Sequence, residues 1–417
     1  MSTTTTTIAK QIIATKKCTY ALQETSTATI NLLLKNIAKS LVLHSETIIA
    51  ANKKDLAKME ITNPLYDRLL LNASRIQAIA NSIKKVVQLP FPFNQIVYTK
   101  TLDNGLRLKK ITTPLGVVGA IFESRPNVVA DIATLCLKSG NACILKGSKD
   151  ADNTNKAIVA IIHQQLTVVS LPKQLVCLLP PDRAVVQHLF TATKYIDVII
   201  PRGSNSLIQF VRQHSLVPVI ETGAGVCHVY VHQSANINMA VNIAVNAKTS
   251  RPSVCNAMDT LLVDEKIAPL FLKQLSTAFN SKQVKIIADA AAYKLLKGYP
   301  LLTKATTQDY YIEHLSLTCT IKIVTSVTQA LMHIAEHGTK HSEAIVTDDK
   351  KVAAQFLKMV DAAAVYHNAS TRFTDGEEFE LGAEVGISTQ KLHARGPFAL
   401  EKLVTEKWIL QGNGQVR

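Results

Sequence analysis

Apolar positions recur at three-to-four spacing through the first part of the chain. Ile30, Leu33, Leu34, Ile37 and Leu41 would share one face of a helix, and the same spacing returns around Ile49 to Met59 and Ile76 to Val87. Residues 8 to 88 therefore read as helices. Leu89-Pro-Phe-Pro-Phe93 closes that region, since proline has no amide donor and disfavours the helical conformation of the residue before it. Two extended runs follow, Ile96 to Thr101 and Leu106 to Ile111, around the turn Asp103-Asn-Gly105. An Asn-Gly pair between such runs signals a β-hairpin. A hairpin of this kind either protrudes to pair with another subunit or packs on its own domain.

From Leu115 the pattern alternates between short β-branched runs and helical ones. Strands are expected at Leu115 to Phe122, Ala142 to Lys146, Leu175 to Leu179, Ile196 to Ile200 and Val217 to Ile220, with helices at Val128 to Lys138, Ala151 to Leu166, Arg183 to Phe190 and Ser204 to Gln213. Alternation calls for parallel strands with right-handed crossovers, hence an α/β fold with a doubly wound sheet. A second α/β unit follows, with helices at about 236 to 248, Ile267 to Phe279, Val327 to His337 and Val352 to Val360. Its strands fall at Thr260 to Val263, Val284 to Ala288, Thr320 to Val324, Ser342 to Val346 and Ala363 to Tyr366. A last run, Trp408 to Gln411, needs a partner strand, and the hairpin is a candidate.

In doubly wound sheets ligands bind beyond the carboxyl ends of the strands, so the chemistry is expected in the loops after them. Three loops stand out: Glu123-Ser-Arg-Pro-Asn127, Lys146-Gly-Ser-Lys149 and Pro201-Arg-Gly-Ser204. The last puts Arg202, Gly203 and the hydroxyl of Ser204 at a helix N-terminus, where free amides favour a phosphate; an ordinary capped helix beside a surface arginine is the alternative. Gly223-Ala-Gly225 lacks the third glycine of a dinucleotide fingerprint and precedes an extended run where that motif demands a helix. His333-Ile-Ala-Glu336-His337 has the order of an inverted zinc-protease motif, with His341 nearby. Gly338 ends that helix, and ordinary histidines near a helix C-terminus are the expectation, with no metal.

Composition narrows the partners. The chain of 417 residues carries a net charge of +15, which favours anionic small molecules. Its cations are dispersed and aromatic residues make up only 5%, so a nucleic-acid interface is not expected. No run reaches the length of a membrane span, and the N-terminal threonines lack the apolar core of a signal peptide. Seven cysteines without CxxC spacing suit a reducing compartment, and a cytoplasmic location is expected. One of them stands apart. In Lys248-Thr-Ser-Arg-Pro-Ser-Val-Cys255-Asn256 a thiol follows two cations, which favour its anion. Cys255 is either a nucleophile or a small buried residue.

Several of these motifs, in order, carry a resemblance. Pro114-Leu-Gly-Val-Val-Gly, Glu123-Ser-Arg-Pro-Asn-Val, Lys138-Ser-Gly-Asn141, Lys146-Gly-Ser, Ile200-Pro-Arg-Gly-Ser, Glu221-Thr-Gly-Ala-Gly-Val-Cys-His-Val-Tyr, the Cys255 stretch and Ala383-Glu-Val-Gly-Ile-Ser-Thr-Gln-Lys-Leu-His-Ala-Arg-Gly-Pro397 are similar to the gamma-glutamyl phosphate reductases, a family within the aldehyde dehydrogenase superfamily. The resemblance implies an aldehyde dehydrogenase-like fold: an NADP-binding domain at 1–95 and 112–232, a catalytic domain at 233–403, and an oligomerisation arm at 96–111 and 404–417. It implies NADPH-dependent reduction of L-glutamyl 5-phosphate to the 5-semialdehyde, the second step of proline biosynthesis, through a thioacyl intermediate on Cys255.

The resemblance also implies roles for other residues. Gly203-Ser204 would meet the cofactor pyrophosphate, Lys146 the adenosine ribose, and Ser148 and Arg202 lie in the same loops. NAD-preferring relatives carry an acidic residue three positions after that lysine; Lys149 stands there and suits the 2′-phosphate of NADP. Glu221 precedes Cys255 by 34 residues, the spacing of the superfamily's general base, but a reductase must avoid hydrolysing its thioester, so Glu221 would line the cofactor site or stay protonated. Arg125 and Arg251 are candidates for the substrate anions, and Asn127 with the Cys255 amide for the oxyanion. A homo-oligomer, and association with glutamate 5-kinase, which makes the labile acyl phosphate, are the partner expectations.

Overall fold

The computed structural model describes residues 3–63 and 66–417, which form two compact units. One comprises Met1–Thr222, Glu380–Gly386 and Phe398–Arg417; the other comprises Gly223–Phe379 and Ile387–Pro397.

In the first unit the helical periodicity becomes Thr3–Glu24, Thr27–Leu43, Ser45–Leu56, Tyr66–Leu69 and Ala73–Gln88. Ser26 and Asn72 start two of these helices by accepting the amides of Thr29 and Arg75. The helices cover a parallel sheet in the order Val176–Leu178, Ala142–Lys146, Val117–Phe122, Val198–Arg202. Every residue of Val117–Phe122 is buried, as a central parallel strand requires. Two motif residues hold this unit together. Lys138 is buried, donates to Asn31 Oδ1 at 2.7 Å and to the Val87 carbonyl at 3.0 Å, and lies over the Phe91 ring; burial lowers its pKa to about 8. Asn141 accepts the Gly116 amide at 2.7 Å and donates to the Leu403 carbonyl at 2.8 Å.

The hairpin forms from Ile96–Thr101 and Arg107–Pro114, with Gly105 at a φ of 84° in its turn. The terminal strand is longer than its apolar tip suggests, spanning Val404–Gln411. It pairs antiparallel with Arg107–Pro114, and the Trp408 ring meets the Tyr98 ring edge-on at 5.8 Å. Val217 to Ile220, expected as a strand, is not one. Pro218 has no amide to donate, so only an isolated bridge between Ile199 and Val219 forms.

The second unit is built on seven parallel strands in the order Leu302–Lys304, Lys285–Ala288, Thr318–Val324, Met258–Asp264, Cys227–Val231, Ser342–Val346, Ala364–His367. Period-2 alternation divides its core. Val229 and Val231 join Phe271, Leu275 and Phe279 on one face. Tyr230 joins Ile334 and Phe356 on the other. Among the described residues no helix is long and apolar enough to cross a membrane.

Candidate active site

In the second unit the helix Ile237–Thr249 gives way to Ser250-Arg251-Pro252, where proline prevents its continuation. Cys255 follows, half-buried, immediately before the strand Met258–Asp264. Its loop therefore lies at the amino ends of this sheet, not at the carboxyl ends where the strand rule directs attention. Asn256 is buried and held on three sides. Its Nδ2 donates to the carbonyls of Arg372 (3.2 Å) and Thr374 (2.9 Å), its own carbonyl accepts from Thr371 Oγ1 (2.7 Å), and its Oδ1 accepts from the Arg372 guanidinium.

The carbonyl of Cys255 is equally fixed. Cys227 Sγ lies 3.2 Å from it, and a Cβ on Gly225 would come within 1.5 Å of that oxygen. Gly225 thus allows a close backbone approach to the Cys255 loop. The two sulfurs differ in character: Cys227 is buried, and burial pushes its thiol well above the usual range, whereas Cys255 is partly accessible. Lys248, counted from sequence among the cations near Cys255, is engaged elsewhere. It is fully buried and pairs with Asp259 at 3.1 Å. Burial pushes the Asp259 carboxyl up to about 6 against the pull of Lys248. Arg251 is exposed, and Arg372 lies in its field and in that of Cys255.

The histidines of the inverted motif serve the core of this unit. The His333 and His337 rings meet at a tilt, centroids 4.2 Å apart, beside Tyr310 and Tyr311, and Lys322 Nζ lies 3.1 Å from His333 Nδ1. Burial, with His228 and Lys322 adding to it, holds His333 down to about 2, and burial alone holds His341 to about 4. An ammonium on the imidazole opposes a divalent cation. Among the described residues no group of three or more His, Cys, Asp or Glu side chains is arranged to hold a metal.

In the first unit the three loops expected to bind a ligand are laced together. The Ser124 amide donates to Ser148 Oγ at 3.2 Å, and the Ser124 hydroxyl to Asp150 Oδ2 at 3.0 Å. Ser204 caps the helix Asn205–His214, and its amide and hydroxyl both donate to Glu123, at 2.7 and 3.1 Å. A carboxylate therefore rests on the helix N-terminus that the sequence reads as either a phosphate site or an ordinary capped helix. A Cβ on Gly203 would come within 2.4 Å of Glu123 Oε2, so the cradle needs its glycine. Lys146 is buried at the end of its strand; burial lowers its pKa first, and Arg183 and Lys149 add to that. These observations fit a dinucleotide: an anion already sits on the cradle, and Lys146, Arg183 and Lys149 gather near the carboxyl ends of two adjacent strands, with Asp182 among them.

The aldehyde dehydrogenase family model matches residues 3–292. The chain belongs to the aldehyde dehydrogenase family. Within that family it is similar to "Gamma-glutamyl phosphate reductase" of Pelodictyon phaeoclathratiforme, 49% identical over 99% of both chains. It is also similar to the protein of that name from Legionella pneumophila strain Philadelphia 1, 48% identical over 99% of both chains. Among solved structures, the gamma-glutamyl phosphate reductase of Thermotoga maritima has a TM-score of 0.92 at 38% identity, covering 99% of this chain and all of that one.

Set in this family fold, the site residues foreseen from sequence divide between the units. Arg125, Asn127, Lys146, Ser148, Lys149, Arg202, Gly203, Ser204 and Glu221 lie in the first; Arg251 and Cys255 lie in the second. Asn127 opens the helix Asn127–Lys138, and its amide donates to Asp131 Oδ2 at 3.0 Å. Burial pushes the Asp131 carboxyl up to about 6, opposed by Asn127 and then Arg202. Glu221 lies 3.6 Å from Arg212. Sequence reasoning missed Glu123, Arg183 and Arg372. Glu123 stands in a loop the sequence singles out, but 81 positions separate it from Ser204 and no local pattern pairs them; Arg372 gives no signal, since more than a hundred residues separate it from Cys255.

Proposed function

We propose that this chain reduces L-glutamyl 5-phosphate to L-glutamate 5-semialdehyde with NADPH, releasing phosphate, as the second step of proline biosynthesis in the cytoplasm. The observation that carries the reading is near-half identity over 99% of the chain to relatives named for that reaction. The Cys255 loop supports it chemically. The thiolate attacks the acyl carbon, the C–O bond to the phosphoryl group breaks, and a thioester forms on Cys255. The amide of Cys255 stabilises the oxyanion of each tetrahedral species. When bound, the cofactor supplies the hydride. Collapse of the resulting thiohemiacetal expels Cys255 and frees the aldehyde. Arg125 and Arg251 bind substrate anions. Glu221 lines the cofactor site and does not act as a hydrolytic base.

The test runs the reaction backwards: pyrroline-5-carboxylate, NADP and inorganic phosphate, followed by absorbance of the reduced cofactor. Phosphate-dependent reduction is expected. Reduction that ignores phosphate would point to an aldehyde-oxidising member of the family and sink the proposal.

Cofactor binding gives two further expectations. Gly203, Ser204, Ser148 and Arg202 hold the pyrophosphate, Lys146 the ribose, and Lys149 the 2′-phosphate. Lys149→Glu should lower the preference for NADP over NAD by at least about 10-fold, because an anion at that point repels the 2′-phosphate and accepts from a free 2′-hydroxyl. An unchanged ratio of kcat/KM values would remove Lys149 from the account. Glu123→Gln should tighten NADP binding by about 3- to 10-fold in calorimetry, since a neutral amide competes less well for the Ser204 amide than a carboxylate does. The sheet of Ile96–Thr101, Arg107–Pro114 and Val404–Gln411 serves as the oligomerisation arm, and glutamate 5-kinase is the partner that delivers the acyl phosphate.

A further inference from the structure

Removal of Lys248 into a buried pair leaves the cationic character of the nucleophile loop to arginine. Arg372 arrives from the short turn Thr371–Phe373 and is fastened to that loop: its Nε donates to Ser250 Oγ at 3.0 Å and its Nη1 to Asn256 Oδ1. Its own carbonyl and that of Thr374 receive the Asn256 amide, so the guanidinium and the residue beside Cys255 move as one piece. The charges facing Arg372 are Asp375, Arg251, Cys255 and Glu378, and Cys227 faces Cys255 from the neighbouring strand. Burial and the neighbouring Arg251 both act against the charge on Arg372. Two guanidiniums in one another's field raise each other's energy, and a dianion shared between them relieves that repulsion.

We propose that Arg372, with Arg251, forms the anion pocket that receives the phosphoryl group of an acyl phosphate beside Cys255 and favours the Cys255 thiolate in the free enzyme. This rests on the reductase reading given above. The S–C bond forms as the C–O bond breaks; the electron pair leaves on phosphate, which takes a proton from water. A guanidinium that grips the phosphoryl oxygens stabilises the charge as it develops there, so it contributes more in the transition state than in the substrate.

The test uses iodoacetamide alkylation of Cys255, read by mass spectrometry of its peptide, with inorganic phosphate as the probe ligand. In the unmodified enzyme phosphate should slow alkylation. Arg372→Met should lose that protection and move the alkylation midpoint up by about one pH unit. Arg372→Lys keeps a cation but not the fork; it should hold the midpoint, raise the phosphate KM at least fivefold in the reverse assay, and leave the KM for NADP within twofold. Phosphate protection and a pH midpoint in folded Arg372→Met equal to those of the unmodified enzyme would overturn the proposal. If that variant does not fold, an unchanged phosphate KM in Arg372→Lys overturns it instead. Absence of phosphate-dependent turnover in the unmodified enzyme would sink the reductase reading alone, because protection of the thiol is measured without turnover.

Discussion

Cys255→Ser is expected to reduce phosphate-dependent turnover by at least about 10⁴-fold, roughly 5.5 kcal/mol of transition-state stabilisation, while NADP affinity stays within about twofold. The hydroxyl is close in size to the thiol, so Asn256 should keep its bonds to Arg372 and Thr374 and the loop should keep its shape. What changes is the reacting atom: serine at neutral pH has almost no anion, whereas a thiol yields one readily. Kinetics in the reverse direction measure the first effect and calorimetry the second. Mass spectrometry on the unmodified enzyme with substrate but no cofactor should find an adduct on Cys255. Activity retained in the serine variant would remove covalent catalysis from the account.

The second large effect is on stability. Lys248→Met should cost about 3–5 kcal/mol, because it strips the ammonium paired with Asp259 while leaving that carboxyl 2% exposed under the helix Ile237–Thr249. The sign of the pH dependence follows. Asp259 already has a folded pKa near 6, above its unfolded value, and loss of the lysine raises it further. Stability of the variant is then greatest where Asp259 is protonated in both states and falls as pH rises through the folded value, so the deficit should be larger at pH 8 than at pH 5. Adding Asp259→Asn should recover most of the loss at pH 8. Urea unfolding at the two pH values checks both statements, and a deficit independent of pH would show that packing of the lysine stem, and not its charge, matters there.

Much of this molecule is legible along the chain. Helical periodicity marked the N-terminal helices, the Asn-Gly turn marked the hairpin, and the helix Val327–His337 and strands Ala142–Lys146 and Ser342–Val346 have the limits their patterns suggest. Period and turn chemistry are local, so they survive the absence of tertiary information. The strand at Val217 to Ile220 failed because an apolar run does not reveal whether its amides have a ladder to join, and Pro218 denies it one. The short strand Leu302–Lys304 and helix Ala290–Leu295 escaped notice because neither is long enough to show a period.

The same division runs through the site. Sequence alone singled out Cys255 as a thiol among cations and Gly203-Ser204 as an anion cradle, because nucleophilicity and helix capping depend on residue type and immediate neighbours. Only the fold decided which charged groups meet. Lys248 and Arg251 both count as cations near Cys255 in sequence; in the structure Lys248 turns inward to Asp259 and Arg251 is exposed. The Thr371–Phe373 turn then brings Arg372 to Asn256, and Glu123 reaches Ser204 from 81 positions earlier. Which charges meet depends on which strands lie side by side, and strand order is a property of the packed sheets that no local pattern encodes.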